Sequence, residues 1–97
     1  MGRGLSIIQK RILSFVWKEK FVTSQDLLIL LWPGAVVDKG RYAAAHSALS
    51  RSLSRLWWRG LIEYWQDKLS RYRTAITLTK EGGAVAESII SEESESG

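Results

Sequence analysis

Apolar residues recur at three- and four-residue steps along the first part of the chain, with polar residues between them. The apolar set begins with Leu5, Ile8 and Ile12 and continues through Phe15 and Val16. This spacing places one apolar stripe along a helix, because an α-helix turns once every 3.6 residues or so, about the mean of these steps. The pattern predicts a first amphipathic helix over about residues 5–19.

A second, shorter apolar run follows the pair Thr23 and Asp26. The Thr23 hydroxyl can cap a helix by accepting hydrogen bonds from its first backbone N–H groups, and the Asp26 carboxylate is favoured at the positive helix end. Pro33 ends this helix, because proline lacks a backbone donor and restrains the residue before it. The connection 32–40 is longer than a minimal helix-turn-helix turn, and it contains either a short strand at 36–37 or an extended loop.

The third helical pattern spans about residues 41–59 and has two faces of opposite character. Projection at about 100° per residue gathers the apolar side chains on one face: Tyr42, Ala45, Leu49, Leu53 and Leu56. The opposite face is small and polar near its start and basic further along: Ala43, Ala44, Ser47, Arg51, Ser54, Arg55 and Trp58. This stretch contains no acidic residue, whereas solvated helix surfaces usually mix acidic and basic residues. The pattern therefore favours a surface that contacts a polyanion.

Two short segments with β-strand patterning follow Gly60, which we expect to end the third helix in left-handed geometry. Residues 61–66 and 72–79 are rich in aromatic and β-branched side chains and flank a polar turn, so they predict a hairpin. Three cations lie at or beside the tip of this hairpin: Lys68, Arg71 and Arg73. Thr79 can then cap a short last helix, whose apolar face consists of Val85, Ala86, Ile89 and Ile90.

The order of these elements predicts an α+β fold that is mostly α, with a three-helix core, a β-hairpin wing and a short C-terminal helix. Most of the third helix and of the first strand lies in the segment AAAHSALSRSLSRLWWRGLIEYW, and most of the second strand and the start of the last helix lie in TAITLTKEGGAVAE. Over about residues 5–90 the chain resembles the winged helix-turn-helix regulators of the MarR-like and PadR-like kinds. We expect a winged helix DNA-binding domain over residues 1–92 and an acidic disordered tail over residues 93–97, where no core residue remains.

Charge and composition narrow the class of protein further. Residues 1–86 carry all 14 Lys and Arg but only 6 of the 10 Asp and Glu, so this part attracts polyanions. The absence of cysteine excludes disulfides and thiolate zinc sites, and favours a cytoplasmic location. The longest apolar run, 27–32, is far shorter than the roughly 20 residues of a membrane-spanning helix, so we expect no membrane partner. One histidine and scattered carboxylates predict no metal, no cofactor and no enzymatic activity.

The resemblance implies that the third helix enters the major groove of double-stranded DNA while the wing contacts the backbone. On the helix, the candidates for base-edge or nearby phosphate contacts are Arg41, Ser47 and Arg51, and the small side chains that allow close approach are Ala43 and Ala44. Arg55 can add a phosphate contact. On the wing, the candidates for backbone contacts are Lys68, Arg71 and Arg73.

The five tryptophans and the single histidine have several interpretations. Trp17 and Trp57 lie near apolar stripes and are expected in the core. The other three tryptophans, Trp32, Trp58 and Trp65, either cover the edges of a small core, form a protein interface or stack on bases. In the first case Trp65 packs on Tyr72 across the hairpin. His46 lies between the two faces of the third helix, where it either contacts the groove or makes a buried hydrogen bond to the hairpin.

The main hypothesis is a sequence-specific double-stranded DNA-binding protein, acting as a small transcriptional regulator and forming a homodimer. A first alternative is a winged-helix module that docks a protein through its exposed tryptophans. A second is single-stranded nucleic-acid binding in replication or plasmid maintenance, with bases stacked on the hairpin aromatics.

Overall fold

The computed structural model describes residues 5–35, 37–66 and 74–96, which form four helices and three strands. Their order is α1 (Ile7–Glu19), β1 (Phe21–Thr23), α2 (Ser24–Leu31), α3 (Lys39–Trp58), β2 (Ile62–Gln66), β3 (Thr74–Leu78) and α4 (Lys80–Ser96). This order confirms the predicted mostly helical α+β architecture with a hairpin wing. The strand β1 is an addition that the hydrophobic pattern did not predict.

The first two helices begin with the same reciprocal arrangement of hydrogen bonds. At α1, the Gln9 backbone N–H donates to the Ser6 hydroxyl at 3.2 Å, and the Ser6 backbone N–H donates to the Gln9 side chain at 2.9 Å. At α2, Thr23 and Asp26 make the equivalent pair at 3.1 and 3.0 Å. Each pair satisfies two backbone donors, one of them in the first turn of the helix, and thereby fixes where the helix starts. The predicted capping role of Thr23 is confirmed.

The three strands form one antiparallel sheet in the order β1-β3-β2. In β3, Ile76 pairs with Val22 of β1 on one side and with Tyr64 of β2 on the other. Val22 and Ile76 are buried, so one face of the sheet covers the core. Thr23 pairs with Ala75 and also caps α2, so the sheet is joined directly to the second helix.

The core lies between the helices and the inner face of the sheet. Its members come from every element, and α1 packs against α4 along much of its length. The buried apolar residues are Ile12, Leu13, Val16, Val22, Leu27, Leu28, Ala35, Ala45, Leu49, Leu53, Leu56, Leu61, Ile62, Ile76, Ala86 and Ile89. The apolar face predicted for α3 is therefore in the core, except for Tyr42, which is 38% exposed near the helix start.

Several other predictions differ from the structure. Trp57 is 49% exposed and not part of the core, because its position on α3 lies beyond the edge of the buried stripe. Trp17, expected in the core, is only partly buried against it. Trp32 is also partly buried there, in agreement with the interpretation that it covers an edge of the core. α4 continues to Ser96. The disorder expected for the acidic tail over residues 93–97 stays a prediction. In the connection between α2 and α3, the described residues form turns and no strand; Val36 lies outside the described residues.

Within the described part of the chain, no helix combines the length and the apolar character that crossing a membrane requires. The same residues contain no group of three or more His, Cys, Asp or Glu that could hold a metal ion.

Candidate nucleic-acid interface

The start of α3 is fixed by Asp38, which the sequence pattern missed as a cap. Its carboxylate accepts hydrogen bonds from the backbone N–H groups of Gly40 at 2.9 Å and Arg41 at 3.3 Å. The helix therefore starts at Lys39, two residues earlier than predicted. An aspartate directly before a helical pattern is a standard N-cap signal, so the sequence did contain the information.

The candidate groove-contacting residues share one exposed face of α3. Ala45, Leu49, Leu53 and Leu56 face the core with at most 5% exposure. All six candidates on the helix are exposed: Arg41, Ala43, Ala44, Ser47, Arg51 and Arg55. The structure thus brings together every described candidate on a surface that another molecule can reach.

The charged side chains on this face of α3 are all basic. No acidic residue occurs from Lys39 to Trp58, and the nearest one in the sequence is the capping residue Asp38. The Arg41 Nε lies 3.7 Å from the Asp38 carboxylate, with side-chain exposures of 76% and 54%. Such exposed pairs contribute about 0–1 kcal/mol, so Arg41 can exchange this partner for a phosphate at little cost.

The end of α3 is closed by a Schellman motif. The Leu61 backbone N–H donates to the Leu56 carbonyl at 3.0 Å, and the Gly60 N–H donates to the Trp57 carbonyl at 2.9 Å. Gly60 has φ of 73°, which confirms the predicted left-handed geometry. Leu56 and Leu61 are both buried, as expected for the apolar contact that accompanies this motif.

Two neighbouring tryptophans lie exposed at this helix end. The rings of Trp57 and Trp58 meet edge to face, with centroids 5.5 Å apart and an interplanar angle of 82°. Trp58 is 81% exposed, more than Trp65 or Trp57. Helix α3 therefore ends in an aromatic pair that the core does not cover.

Near the helix start, Tyr42 and His46 stack with ring centroids 6.1 Å apart and an interplanar angle of 25°. Both rings are exposed. The buried hydrogen bond to the hairpin proposed for His46 is therefore wrong, because its ring lies on the open side of α3. The alternative groove contact stays a prediction.

The wing is described along both strands but not at its tip. The Trp65 indole N–H donates to the Thr77 hydroxyl at 2.7 Å, which holds the ring against the outer face of the sheet, where it is 57% exposed. Burial raises the pKa of the neighbouring Tyr64 hydroxyl above its ordinary value. Residues 67–73 lie outside the described residues, so the three wing candidates Lys68, Arg71 and Arg73, and the packing predicted for Trp65 on Tyr72, stay predictions.

Comparison with known proteins identifies structural rather than sequence neighbours. No protein-family model matches the sequence, and no curated protein matches it. The fold is similar to a mutant of E. coli MarR complexed with operator DNA, with a TM-score of 0.67, 23% identity, and coverage of 89% of this chain and 54% of that one.

Two further neighbours align over nearly the whole chain. Adhesin competence repressor (AdcR) from Streptococcus pyogenes gives a TM-score of 0.78 at 17% identity, covering 99% of this chain and 61% of that one. A mutant of ZitR from Lactococcus lactis gives 0.77 at 17% identity, covering 99% and 57%. The chain thus spans little more than half the length of these proteins. Together with the helix order, the three-stranded sheet and the hairpin after α3, these similarities show that the chain has a MarR-like winged helix-turn-helix fold.

Proposed function

We propose that the protein binds double-stranded DNA sequence-specifically and acts as a small cytoplasmic transcriptional regulator. The observation that carries this proposal is the exposed face of α3, which has small residues at its start, arginines beyond them and no acid along its length. The fold supports the same conclusion, because a similar structure, MarR, is complexed with operator DNA.

The N-terminal half of α3 has dimensions that suit the major groove. An α-helix with its side chains is about 10–12 Å across, which fits a major groove roughly 12 Å wide. Ala43 and Ala44 leave room for the helix backbone to approach the base edges, and Ser47 and Arg51 follow on the same side. Arg51 can donate two hydrogen bonds to a guanine edge, the commonest specific contact in this groove.

The remaining cations are assigned to the phosphate backbone. Arg55 lies one helical turn beyond Arg51 on the same exposed face. On the wing, Lys68, Arg71 and Arg73 are proposed to neutralise phosphates or to enter a narrow minor groove, as cations at a wing tip can do. These contacts strengthen binding to every sequence and do not select among sequences.

A regulator of this kind commonly reads two half-sites as a pair of symmetry-related copies, so we propose that the protein binds its operator as a homodimer. The arrangement predicts two similar half-sites separated by about one helical turn of DNA, or by a multiple of it. Sedimentation of the protein with and without the selected duplex would give the stoichiometry. One copy per operator would refute the dimer and leave the DNA-binding proposal intact.

The first experiment is selection of bound sequences from a random duplex pool, with single strands as competitor, across a salt series. Enrichment of one motif and a steep fall of log affinity with log salt are expected. No retention of duplex at low salt would refute the proposal, and preferential retention of single strands would favour the single-strand alternative.

Two variants then separate the proposed roles of the residues. Arg51→Ala should reduce the preference for the selected motif over unrelated duplex, by about 1–3 kcal/mol if the contact is bidentate. Arg11→Ala is the matched control, since it removes the same charge from an exposed position on α1. Equal losses of affinity from both variants, without a change of sequence preference, would contradict the assignment of Arg51.

A further inference from the structure

An indole at the end of α3 lies on the same side of the helix as the proposed groove contacts. Ser47, Arg51, Ser54 and Trp58 follow one another at steps of four, three and four residues. Side chains at these steps form a single stripe along a helix. Trp58 therefore continues the polar and basic face of α3 and is 81% exposed there.

The Trp58 ring is held in place without being covered. Its edge-to-face contact with Trp57 supports it on one side, and the hydrogen bonds of Gly60 and Leu61 fix the helix end beneath it. Large exposed aromatic side chains are favoured at binding surfaces, where their burial contributes strongly to affinity. The Trp58 ring is thus already positioned to contact a binding partner.

The position of Trp58 along the helix indicates what it contacts. It lies about 16 Å beyond Ser47, at about 1.5 Å per residue. A straight helix whose N-terminal half contacts base edges leaves the curved groove towards its C-terminal end, so Trp58 comes to the sugar-phosphate backbone that borders the groove.

The chemistry of the indole suits this backbone. Its ring can pack on the C–H surface of a deoxyribose while its single N–H donates to a phosphate oxygen. Base faces are not available to it, because the bases of a duplex are stacked. A second copy of this face would place arginines against arginines, since α3 carries no acid to pair with them.

We infer that Trp58 packs against the sugar-phosphate backbone at the edge of the groove and contributes an uncharged, sequence-independent part of the DNA affinity. This inference rests on the proposed function. Unlike the cationic contacts, the Trp58 contact contributes DNA affinity that does not depend on counterion release.

The test compares duplex binding by fluorescence anisotropy for the wild type, Trp58→Ala and Trp57→Ala, using the selected duplex and an unrelated one over a salt series. Trp58→Ala should weaken both duplexes about tenfold, or about 1.4 kcal/mol, at every salt concentration. The slope of log affinity against log salt should stay unchanged, because no phosphate-neutralising charge is lost. Trp57→Ala removes the ring that supports Trp58 but not the proposed contact itself, so its loss of affinity should be smaller than that of Trp58→Ala.

Trp58→Phe keeps an aromatic ring but lacks the N–H, so its affinity should fall between those of the wild type and Trp58→Ala. Circular dichroism would show that each variant is folded, as expected for a side chain outside the core. Wild-type affinity in Trp58→Ala, equal losses in both alanine variants, or a loss confined to the selected duplex would each overturn the inference. If the wild type binds no duplex at all, the proposed function fails first and the inference falls with it.

Discussion

Replacing Gly82 by alanine should destabilise the fold strongly, although alanine is the better helix former. Gly82 lies in the first turn of α4, directly against the backbone of Leu61. A Cβ atom there would overlap the Leu61 carbonyl oxygen and come within 2.8 Å of its carbonyl carbon. Because the obstacle is backbone, no side-chain rotation can relieve the overlap.

The cost follows from the contacts that would have to move. The Leu61 carbonyl accepts a hydrogen bond from the Thr79 N–H at 3.1 Å, and the Thr79 hydroxyl donates to the Gly60 carbonyl at 2.6 Å. Losing these bonds costs about 1 kcal/mol each, and the overpacking costs about 1–3 kcal/mol. The helix propensity of alanine returns about 1 kcal/mol. The net loss is about 2–4 kcal/mol, which lowers Tm by roughly 10–30 °C in a domain of this size.

Gly83→Ala provides the matched control, since it makes the same change one residue further along α4. A Cβ at Gly83 would lie 3.4 Å from the Trp17 ring, an ordinary contact with a side chain. Its free energy of unfolding should therefore stay level or rise by up to about 1 kcal/mol. Urea titration followed by circular dichroism measures both variants. A Gly82→Ala protein that unfolds within about 1 kcal/mol of the wild type would refute the close approach of α4 to Leu61.

Three further perturbations test other features of the fold, all by chemical or thermal unfolding. Lys20 has φ of 76° at the end of α1, so Lys20→Gly should raise the free energy of unfolding by about 1 kcal/mol, and a decrease would contradict strain there. The buried Ser14 hydroxyl has no hydrogen-bond partner among the described residues, so Ser14→Ala should be neutral or stabilising. By contrast, Ser6→Ala removes the cap of α1 and should lower the free energy of unfolding by about 1 kcal/mol. Burial raises the pKa of Tyr64 in the folded state, so its hydroxyl loses the proton at a lower pH in the unfolded state than in the folded state. Stability should therefore fall as pH rises above about 10, and Tyr64→Phe should lose stability less steeply over that range.

The helices were predictable because their signals are local. Apolar spacing gave α1 and the buried face of α3, while Thr23, Gly60 and Thr79 marked helix ends by side-chain or backbone chemistry that needs no distant partner. α3 starts two residues earlier than its apolar pattern predicts because Asp38 caps it. This signal is also local, since an aspartate directly before a helical pattern is visible in the sequence.

The features that the sequence pattern does not predict, β1 and the exposure of Trp57, depend on distant parts of the chain. The strand β1 is only three residues long, and its pairing with β3 joins positions more than 50 residues apart. The position of Trp57 near a stripe predicts a core residue, yet burial depends on what packs opposite, and the described part of the chain leaves this residue 49% exposed. The exposed face of α3 without acidic residues was predictable as a surface, whereas the proposed DNA contacts depend on a partner that the sequence does not contain.

Thr23 has a consequence for the proposed complex with DNA. Its backbone belongs to the sheet that carries the wing, and its hydroxyl holds the first turn of α2, which packs on α3. The wing strands and α3 are therefore connected through β1 and α2, by strand pairing, the Thr23 cap and helix packing. In the bound state, the protein would set the distance along the DNA between the groove contact and the wing contact. DNA whose twist or groove width does not match that distance would have to deform. Sequences that deform easily would therefore be selected.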